Sequence, residues 1–201
     1  MLICCGKDLH QWDRFEVERV WWPQRLRCLI IGENPGDVGA RYFYEVPADY
    51  TTDPVDVRRG LLENLFSEKL LAEPTLEAFR EAGFLFDHAI RCLCSQAVVH
   101  KEQQAARRYA SSRVQRPTHL LAALSQAPIV WVMGHLANNA VVNLTTELPE
   151  TERKVSRDPF PGEATSGSRF FVSEYLSWRN TKKWSTICEA FAQFARARGV
   201  F

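Results

Sequence analysis

The run Leu26-Arg27-Cys28-Leu29-Ile30-Ile31-Gly32-Glu33-Asn34-Pro35-Gly36-Asp37 passes from a β-branched, apolar segment straight into a turn. A near-continuous apolar run of this length fits a strand covered on both faces, as in a parallel sheet with helices above and below. The Gly at the strand end, followed by a Pro and a second Gly, makes a tight turn. In open α/β sheets such turns lie at the carboxyl edge of the strands, where ligands bind, so the polar side chains here face a crevice. The glycine spacing is neither that of the dinucleotide-binding fingerprint nor that of a Walker loop, and no Lys-Ser/Thr pair follows. This counts against enzymes that depend on a nucleotide cofactor, and no cofactor is expected.

Working outward, the run at 26–32 is the first of four, with FLFDHAIRC at 84–92, PIVWVMG at 128–134 and RFFVSEYL at 169–176. Helical text separates them: 56–72, a short helix after Pro74, 102–125 with a break near Pro117, 135–145, and 182–198 with Thr181 as its N-cap. On the last of these Trp184, Ile187, Cys188 and Phe191 recur at three- and four-residue spacing and form one apolar face. The alternation predicts an α/β chain, a three-layer α/β/α sandwich on four parallel strands with the first strand central. Residues 147–168, with Pro149, Pro159, Pro161, Gly162 and Gly167, read as a long loop. Residues 1–23 carry no assignment, and the whole of 1–201 reads as a single domain.

Composition narrows the function classes. The 201 residues carry 25 Lys+Arg and 24 Asp+Glu, a net charge of +1, with 46% hydrophobic and 24% charged residues. That is ordinary globular composition and excludes a tail-driven, polycationic nucleic-acid binder. A local basic patch remains able to supply phosphate contacts. No apolar run approaches the ~20 residues of a membrane span, and the start MLICCGKDLH lacks a signal-peptide pattern, so a cytoplasmic protein without a membrane partner is expected. Of six cysteines, Cys28, Cys92 and Cys188 sit in apolar or helical text and read as buried thiols. Cys4, Cys5 and His10 form a poor metal-ligand spacing and read as a frayed terminus, so no metal is expected.

Gly32-Glu33-Asn34-Pro35-Gly36 resembles the first motif of the uracil-DNA glycosylase superfamily. That motif has a Gly-x-Asn-Pro-Gly form in the mismatch-specific and single-strand-selective branches and a Gly-Glu-x-Pro-Gly form in the iron-sulfur branch, and both features coincide here. Phe43 and Tyr44 fall where the family places an aromatic that stacks on the extruded base, and His88 falls at the position of its base-bonding Asn. Met133-Gly134-His135-Leu136-Ala137 is similar to the family's Gly-x-x-Ala. Tyr175-Leu176-Ser177-Trp178-Arg179-Asn180, with Trp184 beyond, is similar to its second motif, matching in Ser, Arg, Asn and the downstream Trp. The resemblance covers about residues 24–192 and implies the strand order 2-1-3-4. Two departures stand beside it. Tyr175 occupies the place of the motif-two His, and the iron-sulfur ligands are missing: Cys4 and Cys5 are adjacent, only Cys92 matches a ligand, and the last would fall in Ala105-Ala106. No cluster is predicted.

The resemblance implies a monomeric base-excision repair glycosylase that acts on DNA and hydrolyses the N-glycosidic bond of uracil or another deaminated base. The reaction needs a flipped base, a stabilised leaving anion and one water placed beneath the anomeric carbon. Asn34 would hold that water and Glu33 orient or polarise it. Gly32, Pro35, Gly36, Phe43, Tyr44, His88 and Tyr175 would line the base site. Ser177, Arg179, Asn180, Lys182 and Lys183 would grip phosphate at the start of the last helix. Residue by residue a plainer reading stands alongside: the Gly32–Gly36 turn as a mere strand end, His88 as a core histidine, Phe43 and Tyr44 as packing under the long loop, and Arg107, Arg108, Arg113 and Arg116 as a solvated helix face. The alternative function is a non-catalytic nucleic-acid binding module on the same scaffold.

Overall fold

The computed structural model describes residues 16–33, 43–45, 57–89, 119–145, 168–174 and 183–201. Four strands form one sheet: β1 Cys28–Gly32, β2 Phe84–His88, β3 Ile129–Met133 and β4 Phe170–Ser173. All neighbours are parallel and the order is β2-β1-β3-β4, which places β1 in the interior. Every residue of the four strands is buried, as the near-continuous apolar runs require when both faces are covered.

Register and side-chain alternation assign the two faces. Cys28, Ile30 and Gly32 pair with Phe84, Phe86 and His88, and the first two also with Ile129 and Trp131. This face meets helix α5, Trp184–Arg196, whose Phe191 stacks on Trp131 at 4.3 Å and meets the edge of Phe171 at 5.5 Å. Leu29, Ile31, Val130 and Val132 point the other way and are equally buried. Helices α3, His119–Gln126, and α4, His135–Thr145, belong to the same core through Leu120, Leu124, Ala137 and Val141. The result is the expected three-layer α/β/α arrangement.

Helix α1, Val57–Ser67, lies against α5. It stops short of the expected residue 72 because Lys69 takes a left-handed φ of 58° and the Leu70 N–H turns back to the Leu65 carbonyl at 3.0 Å. Helix α2, Leu76–Glu81, starts at Thr75, whose hydroxyl accepts from the Ala78 N–H at 3.2 Å. The N-cap of α5 is Lys183, which makes no side-chain capping bond, and this replaces the expected cap at Thr181, itself outside the described residues. Of the expected helix at 102–125, only the part from His119 onward is described.

The sequence left residues 1–23 unassigned, yet Val17–Trp21 forms a π-helical turn built into the core. Trp21 stacks on Tyr44 with ring centroids 5.7 Å apart, and Arg80 of α2 donates to the Val20 carbonyl at 3.1 Å. Cys28 and Cys188 are buried thiols, as read, while Cys92 lies outside the described residues. Among the described residues no helix is long and apolar enough to cross a membrane.

Candidate functional site

Because all four strands run the same way, their carboxyl ends share one edge of the sheet, and Gly32, His88, Met133 and Ser173 end there side by side. Gly32 and His88 pair in register, and the Ala89 N–H closes the ladder on the Gly32 carbonyl at 2.9 Å. A β-carbon at Gly32 would come within 3.0 Å of Phe86 Cζ and 3.4 Å of His88 Cδ2, so the absence of a side chain lets both rings lie over the end of β1.

His88 is 3% exposed and meets the Phe86 ring edge-on at 5.0 Å. Its backbone N–H donates to the carboxylate of Asp87 at 2.7 Å. Phe43 stacks on Phe86, 4.3 Å away and 12° from parallel. It is 5% exposed, with Tyr44 edge-on at 5.0 Å and Phe79 tilted at 5.3 Å. Tyr44 is buried too: its hydroxyl accepts from the Phe86 N–H at 2.7 Å and donates to the Phe86 carbonyl at 3.0 Å. Both rings are packed here against Phe86, Phe79 and Trp21, while the long loop under which the plainer reading set them lies outside the described residues. Offering a face of Phe43 to a base would require part of this aromatic cluster to open.

Arg58, which sequence reasoning missed, holds the pair in place. It is 2% exposed on α1 and donates to the carbonyls of Phe43, at 3.2 Å, and Glu45. An Arg in the first turn of a helix, ahead of the apolar Leu61-Leu62, was the only signal available, and it reads as an ordinary solvated charge.

Glu33 follows Gly32 just beyond the end of β1. Its side chain lies against Gly134, where a β-carbon would stand 2.5 Å from Oε1 and 2.9 Å from Cδ. Gly134 has a φ of 89°, links β3 to α4, donates its N–H to the Ser173 carbonyl at 2.9 Å and accepts the Asn138 N–H at 3.0 Å. Glu33 thus reaches toward the end of β3, while His88 stands beside Gly32 on β2.

At the far side of the edge, Trp131 Nε1 donates to Ser173 Oγ at 2.8 Å, and that hydroxyl donates to the Glu174 carbonyl at 2.9 Å. Lys183 Nζ forms an ion pair with Glu174 Oε1 at 2.7 Å. His88 on β2 and this pair beyond β4 stand three strand spacings apart, roughly 14 Å at about 4.8 Å each.

The structure thus brings Gly32, Glu33 and His88 to one strand end, with Phe43 and Tyr44 in the aromatic layer behind it, and sets Lys183 apart. Asn34, Pro35, Gly36, Tyr175, Ser177, Arg179, Asn180 and Lys182 lie outside the described residues. Among the described residues no three His, Cys, Asp or Glu side chains group as a metal-ligand set; Cys4, Cys5 and His10 are outside them. The chain matches no protein-family model, no curated protein and no solved structure.

Proposed function

We propose that the chain is a monomeric, cytoplasmic DNA glycosylase of the kind the uracil-DNA glycosylase superfamily exemplifies, hydrolysing the N-glycosidic bond of uracil or another deaminated base. The observation that carries this reading is the placement of Gly32-Glu33-Asn34-Pro35-Gly36. It leaves the carboxyl end of an interior strand in an all-parallel sheet of order 2-1-3-4, with His88 in register beside Gly32. An α/β sheet offers its crevice at this position. On this reading Asn34 holds the attacking water and His88 meets the base edge. The developing charge is stabilised by groups already in place, which is where such a reaction gains most. Lys183 is too far from His88 to share the base and belongs to the phosphate backbone.

One residue favours a second reading. Tyr175 stands where the motif-two His would donate to the departing base, so a nucleic-acid binding module without turnover keeps the scaffold and loses the chemistry. A single assay separates the two. Purified protein is incubated with oligonucleotides carrying uracil, hypoxanthine, xanthine or a G·T mismatch, and alkali-labile abasic sites are measured. The glycosylase reading expects cleavage of at least one substrate, reduced about ten- to several-hundred-fold in Asn34→Ala, the size of a lost transition-state contact. Retained binding without cleavage of any substrate selects the binding module.

A further inference from the structure

Phe86, in the middle of β2, is fixed both through its backbone and through its ring. Its N–H donates to the Tyr44 hydroxyl at 2.7 Å, and its carbonyl accepts from that hydroxyl at 3.0 Å. Phe43 stacks on the ring at 4.3 Å, and the ring reaches over Gly32, where a β-carbon would stand 3.0 Å from Cζ. Phe43 is itself held in place: Arg58 donates to its carbonyl at 3.2 Å and to that of Glu45, and Phe79 lies against it at 5.3 Å. His88 follows two residues after Phe86, on the same face of the strand, and meets its ring edge-on at 5.0 Å. The contacts therefore run in one line, from Arg58 through Phe43 to Phe86 and on to His88. A close-packed interior transmits a displacement along such a line, because few voids are there to absorb it.

We propose that Phe43 is a positioning residue that acts through Phe86: it seats the His88 imidazole beside the end of β1 and does not itself stack on a base. The part His88 plays in a reaction rests on the glycosylase reading; the seating of its ring does not. Phe43 is 5% exposed and already stacked on Phe86, so its face is committed to the core. Control through position needs no exposed face, since misplacing a reacting group by about 1 Å costs on the order of a hundredfold in rate.

The test has two arms. In the first, the His88 Hε1 signal of the chain without DNA is followed by NMR, identified by its loss in His88→Gln. Phe43→Leu should move this signal, and Phe43→Tyr, which keeps the ring, should largely restore it. Phe43→Met takes the place of the leucine variant if that one does not fold. Phe79→Leu is the control for lost packing, because Phe79 meets Phe43 and Phe84 and thins the same cluster one ring further from His88. A His88 signal that stays in place in Phe43→Leu, or moves as far in Phe79→Leu, overturns the proposal. In the second arm, turnover is measured on the oligonucleotide that the wild type cleaves. Phe43→Leu should lower kcat by about tenfold or more with KM changed by less than about threefold. In a His88→Gln background the same change should cost little further, because its effect passes through the imidazole. A full loss in both backgrounds, or a rise in KM alone, gives Phe43 a direct contact with the base and overturns the proposal. A wild-type chain with no turnover removes the glycosylase reading and leaves the seating of His88 to be decided by the NMR arm.

Discussion

Cys188 shows how much a single buried atom can bias stability. Burial, with a smaller contribution from the Glu68 carboxylate, pushes its thiol from 9.0 up to about 12, and burial raises Cys28 as well. A thiol that ionises more readily unfolded than folded stabilises the native state fully below pH 9. As pH rises from 9 toward 12, the unfolded chain loses the proton first, so stability falls, by up to about 1.4 kcal/mol per pH unit for each such thiol. Urea unfolding from pH 7 to 10.5 should show this decline. Cys188→Ala removes the ionising group, so its deficit relative to wild type should shrink as pH rises; a constant deficit would assign the decline to other groups. At the same scale, the sequence located Glu33 just past the first strand and His88 within the second because an apolar run is a local signal. It left open whether Phe43 and Tyr44 pack or face a ligand, since that depends on Phe86, Phe79 and Arg58, all distant in the chain.

Between elements, α1 meets α5 at close range. A β-carbon at Gly60 would lie 1.3 Å from Cζ3 and 1.9 Å from Cε3 of Trp184, so the indole occupies the space a side chain would need. Gly60→Ala forces the ring and its helix to move and should destabilise by about 1–3 kcal/mol, seen as a lower urea midpoint at unchanged slope. The sign should reverse once the indole is gone. In a Trp184→Leu background the same change fills space and replaces a helical glycine, a gain of roughly 1 kcal/mol at most. A loss of equal size in both backgrounds would dissociate Gly60 from Trp184. The periodicity of 182–198 identified the buried face of α5, because helical spacing is a local property. The glycine it needs sits in another helix, and nothing around residue 60 announces the indole. Val17–Trp21 escaped for a related reason: its apolar side chains form no long periodic run, and the turn is held by Tyr44 and Arg80.

For the whole molecule, the question is how a chain of net charge +1 would hold DNA. Lys183 sits at the start of α5, 60% exposed and paired with Glu174, while Lys182 precedes it. Contacts of this type grip phosphate without reading sequence. Replacing Lys182 and Lys183 together by Gln should weaken binding equally for uracil-containing and normal DNA. It should also reduce the slope of log affinity against log salt by up to about two, and by less if Lys183 keeps its bond to Glu174 on DNA. Fluorescence anisotropy titrations at several salt concentrations measure both. A base-selective loss would contradict the assignment, and an unchanged slope would move the grip to the arginines of 107–116.

By itself the sequence determined the α/β alternation and the four strands to within a few residues of their starts. Both are written in contiguous residues, through side-chain periodicity and the breaks that Gly and Pro impose on it. Strand order followed from a resemblance, not from the strands, whose apolar runs are interchangeable in kind. Only the tertiary structure decided that Glu33 lies against Gly134, that Phe43 and Tyr44 are core residues, that Arg58 secures them, and that Lys183 is bound to Glu174. Those outcomes depend on which surfaces meet when the layers close. Contacts between residues tens of positions apart are set by shape and charge that no local pattern records.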